Sequence, residues 1–234
     1  MRLSSCGRDL IQGTVLNRSL LTHDGTTAMF KEEKVYWKNG NLTGEGLWSR
    51  NAGSDGVVIC HPHPLMGGSM DNNVVEAIRD AFSSCGYSTL RFNFRGAGGS
   101  TGRYDEGRGE KQDILSACAF IKNQGVEKIV LAGYSFGAWV CCRLLKDQPS
   151  DFASVILISP PQKYFAFDWT GLDHAVALMV CGDSDQFCDV DELRTGADKI
   201  HARLAILEAT DHFYAGKEER LTQYLNQYIH EKKA

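Results

Sequence analysis

No stretch of this chain approaches the ~18 consecutive apolar residues that a membrane-crossing helix needs, so nothing in it reads as a bilayer span. The N-terminal MRLSSCGRDLIQG lacks the apolar h-region of a secretory signal. Its LSSC resembles a lipoprotein cleavage box only in letters, because no hydrophobic stretch precedes it. There is no basic stripe of the kind that tracks nucleic acid and no acidic tail; 25 Lys and Arg and 29 Asp and Glu are scattered, for a net charge of −4. The eight cysteines include no C-x-x-C pair. Several sit inside apolar runs (VVIC, MVC, WVCC), where a free thiol behaves as a small core residue, so a reduced, cytoplasmic protein is expected rather than a disulfide framework. Internal repeats, low-complexity tracts and interdomain linkers are missing too.

What remains is an ordinary globular composition, 43% hydrophobic and 23% charged over 234 residues. That supports one α/β domain over 1–234. From residue 56 onward, short apolar runs alternate with longer amphipathic segments. The runs 56–60, 87–94, 128–134, 154–159, 176–182 and 203–209 are rich in β-branched or aromatic residues and end at turn formers, which predicts strands. Segments 71–84, 109–124, 136–147, 190–201 and 217–231 carry helical spacing, the first with Asp71 as a candidate cap. Near-continuous apolar strands alternating with helices predict a mostly parallel sheet covered on both faces. Residues 1–50 read as antiparallel edge strands of the same sheet, and 56–230 as its core.

The most informative segment is VLAGYSFGAWVCCRLL. Gly133-Tyr134-Ser135-Phe136-Gly137 fits G-x-S-x-G between an apolar strand and an apolar helix, the context that this motif requires. The serine sits on a sharp turn, the chain passes close by at both glycines, and a Cβ at 133 or 137 would clash. The helix that follows aims its N-terminal N–H groups at the serine. A serine nucleophile needs a base, and the base needs a carboxylate, in the order Ser, Asp or Glu, His along this type of sheet. The acid is sought after VALMVCG, where Asp183 and Asp185 both stand. Asp185 has room to turn back, whereas Asp183 is expected to cap its own turn. The base is sought after RLAILEA, where His212 stands; His230 falls in the terminal helix, and Asp211 reads as a turn residue.

With GYSFG, GDSD and DHF in this order across 56–230, the chain resembles the α/β-hydrolase family. HPHPLMGGSMDN, RFNFRGAGGSTG and DEGRGE are similar to a group of small bacterial hydrolases. The resemblance implies a Ser135–Asp185–His212 triad acting on an ester, thioester or amide bond. It does not name the substrate. Only about 16 residues separate SVILIS from VALMVCG, too few for a large lid, so a small acyl substrate is expected. Within that gap Tyr164, Phe165, Phe167 and Trp169 either line an acyl pocket or simply cover the sheet. Peptidase, acyltransferase or non-catalytic binding roles on the same fold are the alternatives.

The loop after the first core strand, His61-Pro62-His63-Pro64, would supply one of two N–H donors for a negative oxygen, the other being Phe136. Pro62 and Pro64 cannot donate. His63 is the first choice and Leu65 the second, with Met66, Gly67 and Gly68 behind them. A metal at His61 and His63 lacks a third ligand in sequence, so no metal and no cofactor is expected. The expected partner is a small acyl molecule, with neither nucleic acid nor membrane; the oligomeric state is left open. RGAGGSTG lacks the Gly-Lys-Ser/Thr of a phosphate cradle and reads as a mobile loop by the site. Asp105, Glu106, Glu110 and Asp113 are expected to cap and solvate the next helix.

Overall fold

The computed structural model describes residues 15–21, 27–148 and 152–233, with side chains from residue 31. The expectations for residues 1–14 lie outside it. Strands β1 (Val15–Leu21), β2 (Thr27–Asn39) and β3 (Leu42–Ser49) form an antiparallel meander. It continues into β4 (Asp55–Cys60), β5 (Ser88–Asn93), β6 (Lys128–Tyr134), β7 (Ser154–Ile158), β8 (Leu178–Gly182) and β9 (Arg203–Leu207). All nine belong to one sheet in the order β1-β2-β3-β5-β4-β6-β7-β8-β9, parallel from β5 to β9. β3 joins the meander to the parallel part through β5 rather than through β4, its neighbour in sequence.

The helices are α1 (Asn73–Ser84), α2 (Arg108–Asn123), α3 (Phe136–Asp147), α4 (Val190–Lys199) and α5 (Glu218–Lys233). Alternation along the strands sorts the core into two layers. Val57 and Ile59 pack with Val74, Ile78, Leu221 and Leu225 of α1 and α5, while Val58 and Cys60 pack with Ile114, Phe120, Val140 and Leu144 of α2 and α3. The seven cysteines among the described residues are buried, and none of them is joined in a disulfide. Among the described residues no helix is long and apolar enough to cross a membrane.

Helix α1 is capped by Asn72, whose side chain accepts from Val74 N–H, and not by Asp71. Asp71 is drawn instead to the buried Arg91 guanidinium, 3.0 Å away. The order reverses at β4: the chain goes to β5 on one side through α1, then returns past β4 to β6 through α2. Crevices beyond the carboxyl ends of strands form at such a reversal. Cys60 and Gly133 are paired there, so the turn after β6 and the loop after β4 open side by side.

Candidate active site

Ser135 lies between the end of β6 and the first residue of α3 with φ 54° and ψ −118°, a conformation that costs a non-glycine residue ~1–3 kcal/mol. The turn is over-determined. Ser135 N–H donates to the Ile158 carbonyl at 2.9 Å, and its own carbonyl accepts from Ala138 and Trp139. A Cβ on Gly133 would lie 2.6 Å from the Gly137 carbonyl oxygen, and one on Gly137 would lie 2.4 Å from that of Cys60. Both glycines of the motif are therefore steric necessities.

Asp185 follows β8 and His212 follows β9. Their loops press together at Gly182, where a Cβ would fall 1.9 Å from the Thr210 carbonyl oxygen. Ser184 N–H donates to that carbonyl, and Asp183 N–H donates to Leu207. Asp183 does not simply cap its own turn: its carboxylate accepts from Thr210 N–H across the gap, at 3.3 Å. Asp211 is the turn residue expected, accepting from Phe213 N–H at 3.0 Å.

This framework brings Ser135, His212 and Asp185 into one chain of contacts. His212 Nε2 is 2.9 Å from Ser135 Oγ, and His212 Nδ1 is 2.9 Å from both carboxylate oxygens of Asp185. All three residues are buried or nearly so. An ionised carboxylate only accepts, so Nδ1 carries the proton and Nε2 is left to accept from the serine hydroxyl. Burial pushes the Asp185 carboxyl up, but the His212 hydrogen bond and charge, with Ser159 and Phe187, outweigh it and hold it below the usual range. Phe187 and Cys188 N–H donate to Oδ1 at 2.9 and 3.0 Å.

Three supporting residues had no signal of their own in the sequence. The buried Tyr134 hydroxyl donates to the His212 carbonyl at 2.8 Å. The hydroxyls of Tyr214 and Ser159, both fully buried, meet at 2.9 Å behind Asp185. Tyr134 stands in the motif as a variable position, Ser159 follows a strand end and Tyr214 is a loop residue, and neither is marked out until the loops meet.

The histidine–proline loop divides its two histidines. His61 is fully buried; its Nδ1 donates to the Pro62 carbonyl at 2.6 Å and its Nε2 accepts from Phe94 N–H at 2.9 Å. Burial pushes its pKa down to about 4. With both nitrogens committed, no His61–His63 chelate is available. His63 Nδ1 accepts from Leu65 N–H at 3.2 Å, and the His63 carbonyl accepts from Met66 and Gly68. Leu65 is thereby withdrawn as a donor, a correction imposed by the tight 3-10 turn at Pro64–Met66. The His63 amide donates to no acceptor among the described residues, and Phe136 N–H is the first of those that an α-helix leaves unpaired. The two residues adjoin, with rings 4.8 Å apart.

The aromatic stretch splits. Phe165 lies near the site, 6.1 Å from the His63 ring and 5.8 Å from that of Phe136. Exposed Tyr164 packs on Phe187, which packs on His212. Phe167 stacks on Trp169, and Trp169 is core, lying on Gly196 of α4. The glycine-rich loop is pinned rather than mobile. The Glu45 carboxylate accepts from Asn93 and from Gly99 N–H, Thr101 N–H donates to Thr43, and Arg95 forks onto Asp113. Of the four acids after it, Glu110 is buried and accepts from Asp105 and Gly107 N–H, and Asp113 is buried under Arg95. Only Asp105 and Glu106 sit at the surface, both beside Arg108.

The sequence profile of the alpha/beta hydrolase fold matches residues 57–172. An uncharacterized protein of Rickettsia prowazekii is 31% identical over 74% of this chain and 77% of its own. The solved structure of an alpha-beta serine hydrolase homologue from Coxiella burnetii superposes with a TM-score of 0.76 at 32% identity, over 84% of this chain and 96% of that one. The mouse lysophosphatidylserine lipase ABHD12 is 30% identical over 59% of this chain, which spans only 39% of the lipase. A serine held on a strained strand-to-helix turn, an aspartate and then a histidine on later loops, and a solved alpha-beta serine hydrolase homologue matched at 32% identity along 96% of its length lead to one conclusion: the chain belongs to the α/β-hydrolase family.

Proposed function

We propose that the protein is a carboxylesterase-like serine hydrolase that cleaves the ester or thioester bond of an acyl substrate. The observation that carries this reading is the unbroken contact chain from Ser135 Oγ through His212 to Asp185. Ser135 Oγ attacks the carbonyl carbon while His212 Nε2 takes its proton and Asp185 stabilises the resulting imidazolium. The carbonyl oxygen takes up the electron pair and is held by Phe136 N–H and His63 N–H. Collapse of this intermediate breaks the bond to the alcohol or thiol, which leaves with the proton from His212. A water deprotonated by His212 then attacks the acyl-enzyme, releasing the acid and restoring Ser135.

An apolar acyl group is favoured by the surroundings. Leu65, Met66, Tyr164 and Phe213 are the exposed large hydrophobic residues among those described, and all four stand on the loops that carry His63, Phe165 and His212. Between β7 and β8 no helix or strand intervenes to cover them. The likeness to a lysophosphatidylserine lipase favours a carboxylic ester among the alternatives.

The test is a rate panel of p-nitrophenyl esters from acetate to decanoate with wild type and Ser135→Ala in parallel. The expected result is turnover by wild type and a loss of about 10⁴-fold or more in the variant. A variant rate within tenfold of wild type would overturn the assignment. Labelling of wild type by a fluorophosphonate, with no ester cleaved, would move the substrate to another acyl class.

A further inference from the structure

Beside the candidate active site, α3 and the segment 166–168 line an open hollow of about 220 Å³. Trp139 and Phe167 form its apolar walls, and Arg143, Lys146 and Asp168 line it. It adjoins the candidate active site through two ring contacts: Trp139 lies 5.6 Å from the Phe136 ring, and Phe165 stands 4.5 Å from Trp139 and 6.1 Å from His63.

The charges around this hollow are not paired one to one. Lys146 is neutralised by Asp168, 2.7 Å away. Asp105 and Glu106, the acids on the neighbouring turn, are held by Arg108 at 3.1 and 3.5 Å. Arg143 lies 4.7 Å over the Trp139 ring, and one of its N–H groups donates to the Glu106 carbonyl at 2.7 Å. Among the described residues no carboxylate pairs with it. A guanidinium has five donors in a planar fork, so most of this one is uncommitted. An apolar hollow with one free cation at its wall is the composition of a small-molecule site.

We propose that this hollow binds an organic anion, which lays an apolar body on Trp139 and Phe167 and sets a carboxylate or phosphate on the Arg143 fork. Its natural occupant is the outer end of the acyl group whose carbonyl reaches Ser135. That second statement rests on the hydrolase reading above; the binding site itself does not.

Two measurements separate these statements. Calorimetry on the full chain compares 4-phenylbutyrate with its neutral analogue 4-phenylbutanamide. Wild type is expected to prefer the carboxylate by about tenfold or more, the size of one charge-assisted hydrogen bond, and Arg143→Gln to abolish that preference. Phe167→Ala, which keeps the cation and removes an apolar wall, is expected to weaken both ligands alike. Equal affinities in wild type, or a preference that survives in Arg143→Gln, would mean that Arg143 only pins the 105–107 turn, and the site would be overturned.

The kinetic measurement compares the mono-p-nitrophenyl ester of suberic acid with p-nitrophenyl octanoate. The ratio of their kcat/KM values is expected to fall about tenfold in Arg143→Gln, mostly through KM. An unchanged ratio alongside anion binding would overturn the substrate assignment. If wild type cleaved neither ester, the substrate assignment would fall with the hydrolase reading, while the calorimetric result still decided the site.

Discussion

His61 gives the fold a defined acid sensitivity. Its ring is fully buried, and Nε2 must stay unprotonated to accept Phe94 N–H at 2.9 Å. Burial takes its pKa down to about 4 from the 6.5 of an exposed imidazole. The unfolded chain therefore binds a proton at this site while the folded chain still refuses one. Stability contributed by the neutral ring is complete above pH 6.5 and drains away as pH falls toward 4. Relative to pH 7, linkage sets the loss at about 1 kcal/mol at pH 5.5 and about 2 kcal/mol at pH 4.5. His61→Gln keeps an acceptor for Phe94 N–H and does not titrate in this range. It is expected to be less stable at pH 7, because it packs less well against Phe94, and to have a shallower dependence on pH. Urea unfolding of both proteins at pH 7, 5.5 and 4.5 reads this directly, since every other titrating group is shared and cancels. Parallel stability curves would refute the argument and with it the role of His61 as a neutral brace.

Asp185→Asn is expected to keep the fold and to lower kcat on a wild-type ester substrate by about 10⁴, because the amide stabilises the wrong His212 tautomer; a fall of less than tenfold, with an unchanged circular dichroism spectrum, would contradict it. Gly137→Ala places a Cβ 2.4 Å from the Cys60 carbonyl oxygen. Backbone must move to admit it, so a penalty of about 1–3 kcal/mol is expected, read as a Tm lower by roughly 3–10 °C, together with reduced fluorophosphonate labelling of Ser135.

The strands and the turn at Ser135 were legible because their causes are local. Apolar runs that end in turn formers need no partner to be recognised, and the glycines of GYSFG answer to contacts within a few residues, apart from the Cys60 carbonyl on the adjacent strand. That Asp185, and not Asp183, meets His212 is a matter of reach along a single loop. What could not be read depends on pairs far apart in sequence. The glycine-rich loop looked mobile because glycine is permissive; it is held by Glu45, more than fifty residues earlier. Trp169 and Phe165 sit in one irregular segment with no periodicity to separate them. Gly196 on α4 takes one into the core, and the rings of His63 and Phe136 hold the other. Leu65 N–H is engaged for the opposite reason, a contact too local for a count of amides to notice: the side chain of His63 turns back on its own loop and takes that N–H. The same turn leaves the His63 amide without an acceptor among the described residues, which is why it is proposed as a donor to the oxyanion, and the buried His61 fixes where that loop begins.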